Sequence, residues 1–327
     1  MTKNASALRN YSIEKSAGRG NLALRMVEVK EARYEASTME LMLIAQIMVF
    51  CGLPYRRNTD RRIVRKARTG KGSTVTVTFQ AMVDGVDIPF GSDRTLLHWV
   101  THHALVTRSP FVPLSSASQF LRDMGMSTSG QNIQRVKEAF RRIASVAIVV
   151  QRDDDKSVNT QQIIMPIARS AALPKRLRKK PAPEQISLLP DGPDEREESP
   201  FDEPAGFRLD DAVFREFSQF HVPTLRKLLE VTRESPQIQD YMMFLQWRSF
   251  SAREESLIPW AQMREQMCQD DSNPYRMRAR FQEAIEALRI AWPALNATAE
   301  TKGLRIGPPS RGEQFLIDGA QRKRALS

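Results

Sequence analysis

Between Phe120 and Ile143 the apolar positions form two periodic runs separated by a polar break. Ile133, Val136, Phe140 and Ile143 follow one another at steps of three and four, the spacing that lines up one face of an α-helix. Gln131, Gln134, Arg135, Glu138 and Arg142 take the opposite face, and Ser127, Thr128 and Ser129 offer side-chain caps. Upstream, Ser115 or Ser116 caps a shorter helix through Phe120, Leu121 and Met124, which Gly125 ends in the left-handed conformation that excludes most side chains. Downstream, "SVAIVVQR" is a β-branched run, "DDDKS" a polar turn and "VNTQQIIMPIA" a return strand, so a hairpin with its tip near Asp153 to Ser157 is predicted. Helix, turn, helix and hairpin together predict a winged helix.

The second half repeats this order. "SPQIQDYMMFLQWRSF" reads as a long helix, "LIPW" as a short strand and "AQMREQM" as a short helix. The next helix starts at "SNPYRMRARF", with Asn273 as cap and Pro274 at the first helical position, where its missing N–H costs nothing. Met277, Phe281, Ile285 and Leu288 share its inner face, Tyr275 and Arg276 look outward from its start, and Arg278 and Arg280 lie on the flanks. "PALNATAETKGLRI" supplies two short strands around Lys302 and Gly303, a second wing. "FVPL" at 111–114 matches "LIPW" at 257–260, and the apolar faces of the two later helices align with a similar offset. The fold class expected is therefore α+β, mainly helical, with tandem winged-helix domains.

Residues 36–172 form the first domain in this scheme and 206–310 the second. Residues 1–35 are polar and weakly periodic and read as a mobile arm outside the core. "MELMLIAQIMVFC", Met39 to Cys51, reads as a buried helix, "TVTVTF" as a half-buried strand, and "PFGSDRTLLHWVTHHALVTRS" as a helix beginning at Ser92. Residues 173–205 run from basic and proline-bearing to strongly acidic, a composition that cannot bury enough apolar surface to order itself, and read as a linker. Residues 311–327 read as a partly ordered tail.

The formal charge of +11 suits a polyanionic partner, because basic groups set against phosphates release condensed counterions. The apolar run at 39–51 is shorter than the roughly 20 residues a membrane span needs, and the N-terminus lacks the apolar run of a secretory signal, so a cytoplasmic location is expected. Cys51 and Cys268 lack metal-ligand spacing and read as reduced packing residues. "HWVTH", His98 to His102, has no glutamate after its first histidine, and "TGKGS" at 69–73 lacks the first glycine and the hydroxyl residue of a phosphate loop. No catalytic residue, metal or cofactor is expected. The densest positive run is "YRRNTDRRIVRKARTGKGS", with eight basic residues against one acid.

Glutamine and arginine at the start of a recognition helix suit base edges, since each makes paired hydrogen bonds, to adenine and guanine respectively. The candidate DNA-binding set is Ser127, Ser129, Gln131, Gln134, Arg135 and Arg142 in the first module. Tyr275, Arg276, Arg278, Arg280 and Lys302 are its counterparts in the second, and Arg61, Arg62, Arg65 and Lys66 are phosphate contacts from the basic run. "CGLPYRR", "DIPFGSDRTLLHWVTHHALVTRS", "SASQFLRDMGMSTSGQNIQRVKEAFRRI", "RESPQIQDYMMFLQWRS", "IPWAQM" and "GLRIGPPS", in this order from Ser37 to Pro309, resemble the plasmid-encoded RepA replication initiator family. The resemblance implies an initiator that binds repeated double-stranded sites, iterons, in a plasmid origin, helps open the duplex and calls in the host initiator and helicase machinery. It also implies copy-number control and exchange between monomer and homodimer, with Met39 to Phe50 serving as core or as dimer contact. The alternatives are a winged-helix transcriptional repressor without initiator activity, and a relaxase-like nuclease with Tyr275 or Tyr55 as nucleophile.

Overall fold

The computed structural model describes residues 17–35, 41–68, 73–114, 116–153, 161–172, 205–267 and 273–316. The linker at 173–204, the end of the tail at 317–327, Cys268 and the hairpin tip beyond Asp153 lie outside these residues. The protein is α+β, with helices packed around small antiparallel sheets.

In the first half, α1 (Ala17–Tyr34) precedes β1 (Leu41–Ala45) and α2 (Gln46–Phe50), and β2 (Arg62–Arg68) and β3 (Thr74–Ala81) follow. Next come α3 (Asp93–Thr107), β4 (Phe111–Pro113), α4 (Ala117–Asp123), α5 (Gly130–Ala144), β5 (Val146–Asp153), β6 (Gln161–Pro166) and β7 (Ala168–Ala172). Strands β5 and β6 form the expected hairpin, but β5 also pairs with β3, so the hairpin extends a four-stranded sheet ordered β2-β3-β5-β6. The second half holds β8 (Gly206–Leu209), α6 (Asp211–Gln219), β9 (His221–Leu225), α7 (Arg226–Thr232) and α8 (Pro236–Ser251). It ends with β10 (Ser256–Pro259), α9 (Trp260–Met267), α10 (Pro274–Ala291), β11 (Ala297–Ala299) and β12 (Gly303–Ile306), with β12 pairing on either side in the order β10-β12-β11.

Two large apolar cores result, and the chain crosses between them in ways its order conceals. Met26 and Val29 of α1 are wholly buried in the second core, beside Phe281 and Leu288 of α10. Residues 17–34 are thus no loose arm. Arg33 fastens α1 from inside, donating to the Phe315 carbonyl at 2.7 Å and the Gln314 carbonyl at 3.1 Å, so the first part of the tail is core as well. Conversely, β8 inserts between β4 and β7, and Phe207, Leu209, Val213 and Phe217 fill the first core. Residues 206–219, expected in the second domain, complete the first one. Half of the predicted helix at 39–51 is strand: Leu41–Ala45 pairs with Leu225–His221, because a fully apolar run suits a strand buried on both faces as well as a buried helix.

Candidate nucleic-acid interface

The turn between α4 and α5 is built from its own side chains. Ser116 caps α4 by accepting from the Gln119 N–H at 3.1 Å. Gly125 leaves the helix at φ 60°, where a Cβ would be strained. Ser129 caps α5 by accepting from the Asn132 N–H at 3.3 Å, and the Asn132 amide donates to the Ser127 carbonyl and hydroxyl at 3.0 and 2.9 Å. Ser127 and Ser129 are therefore exposed residues whose first task is to shape the helix start. From that start Gln131, Gln134 and Arg135 face solvent, while Val136, Phe140 and Ile143 are buried. The same open face carries Lys137 and Arg141, cations missing from the sequence-based set although their spacing from Gln134 places them there.

Arg142 departs from expectation. Its guanidinium grips the Asp93 carboxylate at 2.6 and 2.9 Å and lies over the Phe90 ring at 4.7 Å, tying the end of α5 to the start of α3. This pairing raises the Arg142 pKa despite the desolvation that opposes it. A residue so engaged is an internal strut, and it leaves the base-contacting set.

In the second module Asn273 caps α10, accepting from the Tyr275 N–H at 2.9 Å. Tyr275 is 77% exposed and Arg276 and Lys302 are exposed beside it in sequence and on the β11–β12 turn. Arg278 donates to the Ala299 carbonyl at 3.2 Å and so braces helix against hairpin, while Arg280 pairs with Glu283 at 2.8 Å. The open prongs here are Tyr275, Arg276 and Lys302.

The middle of the basic run, Arg62–Arg68, is itself an edge strand. Its residues alternate: Arg62, Lys66 and Arg68 face solvent, whereas Ile63, Arg65 and Ala67 point inward. Arg65 is 0% exposed, and its three guanidinium nitrogens have no hydrogen-bond partner among the described residues, so it cannot touch a phosphate from this position. Arg61 is spent on Asp84 at 2.7 Å and the Ala81 carbonyl at 3.1 Å. Arg68, unnamed at the outset, joins Arg62 and Lys66 on the open face. The strand packs against α9, and therefore lies beside the second module.

Arg94 fills the seam between the halves. It forms a buried ion pair with Asp240 of α8 and donates to the carbonyls of Gly91, Leu53 and Pro236 at 2.8, 2.9 and 3.1 Å. "CGLPYRR", "GSDR" and "SPQIQD", far apart in sequence, thus meet at one guanidinium. A cleft of about 580 Å³ opens next to it, lined by Asp93, Met126, Asn132, Arg135, Arg233 and Glu234 among others. No helix among the described residues is long and apolar enough to cross a membrane.

No protein-family model matches the chain, and no curated protein sequence does. Among solved structures the chain is similar to a crystal structure of RctB domains 2-3, spanning RctB 155–483, with a TM-score of 0.47 at 9% identity over 80% of this chain and 94% of that one. It is also similar to selenomethionine derivatives of domains 2 and 3 of RctB, with a TM-score of 0.39 at 12% identity over 71% and 81% of the two chains.

Proposed function

We propose that the protein is a replication initiator that binds repeated double-stranded sites at a plasmid origin through two winged-helix heads. Bound there, it promotes opening of the adjacent duplex and passes it to host replication proteins. The observation that carries this reading is the exposed row Gln131, Gln134 and Arg135 at the capped start of α5, on a helix–turn–helix–hairpin order that recurs at α9, α10 and β11–β12. Amide and guanidinium groups at the N-terminal end of a second helix are placed to enter a major groove, and the net positive charge supplies phosphate attraction. The resemblance of the sequence to RepA initiators points to iterons and to an origin as the setting. Binding and duplex distortion are the whole activity in this reading. A nuclease based on Tyr55 is disfavoured, because that hydroxyl is buried next to the Arg94–Asp240 pair.

The test is permanganate reactivity of thymines on supercoiled DNA carrying the plasmid's own origin. An initiator exposes an A+T-rich segment beside its bound sites in a protein-dependent way. Protection of the sites without any reactive thymines would identify a repressor, and a covalent protein–DNA adduct would identify a tyrosine nuclease.

A further inference from the structure

The second half of the chain grips the turn that leads into α5, and it reaches the far end of α5 by way of α3. In that turn, Arg233 of the α7–α8 loop reaches across and donates one nitrogen to the Gly125 carbonyl at 2.9 Å and to the Met124 carbonyl at 3.2 Å. These carbonyls end α4, where helix geometry leaves them without intrahelical partners and where a cation is favoured. At the far end of α5, Arg142 holds Asp93, and the next residue, Arg94, is buried against Asp240 and the Pro236 carbonyl of α8. Residues 233–240 begin the second head, so one short segment receives both attachments.

We infer that Arg233 is a positioning residue that fixes the spacing and rotation of the two heads, so that the protein discriminates the number of base pairs between the two half-sites. The inference rests on the two-headed reading above. Inserting one base pair turns the second half-site by roughly a tenth of a helical turn and moves it by about 3.4 Å, more than a hydrogen-bonded latch accommodates without breaking. Arg233 touches no base in this account. Removing it deletes the hydrogen bonds from the second half to the Met124 and Gly125 carbonyls, while the internal caps at Ser116 and Ser129 stay in place.

The experiment uses full-length protein and a site recovered by that protein from random-sequence duplexes, rebuilt with spacers changed by one and by two base pairs. Wild type is expected to lose about tenfold in affinity per added or removed base pair. Arg233→Ala is expected to flatten that profile while binding an isolated α5 half-site as wild type does. A profile in Arg233→Ala as steep as wild type overturns the inference, as does a flat profile in wild type with both half-sites still protected. Recovery of sites with a single protected block would instead remove the two-headed reading itself. Arg233→Lys, which keeps the charge but not the guanidinium fork, is expected to lie between the two profiles, and wild-type steepness in it would reduce the latch to simple charge.

Discussion

Arg65 and His98 stand in the interior with no hydrogen-bond partner for any side-chain nitrogen among the described residues. A buried cation with no hydrogen-bond partner among the described residues, near an Asp240 that Arg94 already pairs, is a cost to the fold, since desolvation outweighs attraction without close geometry. Arg65→Met is therefore expected to raise the unfolding free energy by about 1 to 4 kcal/mol in urea titration, and a comparable loss would mean that the charge is satisfied. His98 is kept neutral, its pKa pushed down to about 3 by burial, with Arg94 acting in the same direction. The unfolded chain binds this proton near pH 6.5, so stability present above that value is lost as pH falls toward 3. Between pH 7 and about 4.5, His98→Leu should lose roughly 3 kcal/mol less than wild type, and parallel losses would place the acid sensitivity elsewhere. Neither burial was legible from sequence. Arg65 sits in the most basic run of the chain, where charge density suggested solvent, and only its period-two neighbours Ile63 and Ala67 betray the inward face.

At the scale of elements, the strand at Arg62–Arg68 gives the clearest revision. An alternating pattern within a charged run means one cationic face, and α9 packed against the strand places that face beside the second module. Replacing Arg62, Lys66 and Arg68 with alanine should lower the log–log salt slope of DNA binding by up to about 3 units, because each phosphate contact contributes roughly 0.9. An unchanged slope would show that this face is not at the DNA. The order of α4, turn and α5 was readable because cap, glycine and apolar period agreed: Gly125 marks the end of α4, Ser129 the start of α5, and the Val136–Phe140–Ile143 stripe its buried face. The strand at Leu41–Ala45 was not, since an apolar run without polar alternation has no period to report.

At the scale of the whole molecule, the sequence order conceals two exchanges. Helix α1 completes the second core, and β8 with α6 completes the first, although each lies beyond the boundary that composition suggests. Local pattern finds elements but not partners, because the partner of an apolar face is chosen by packing across the fold. Three of the six motifs that carry the family resemblance converge on Arg94 and Asp240, so part of their joint order reflects a seam between the halves. The central claim is that both heads read bases, and the direct measurement is quantitative binding and footprinting of Arg135→Ala against wild type on the selected site and on random duplex. The account predicts two protected blocks about 34 to 36 Å apart in wild type. It further predicts a loss of roughly 1 to 3 kcal/mol for Arg135→Ala on the selected site, with binding to random duplex nearly unchanged. Equal losses on both DNAs, or a single protected block, would contradict it.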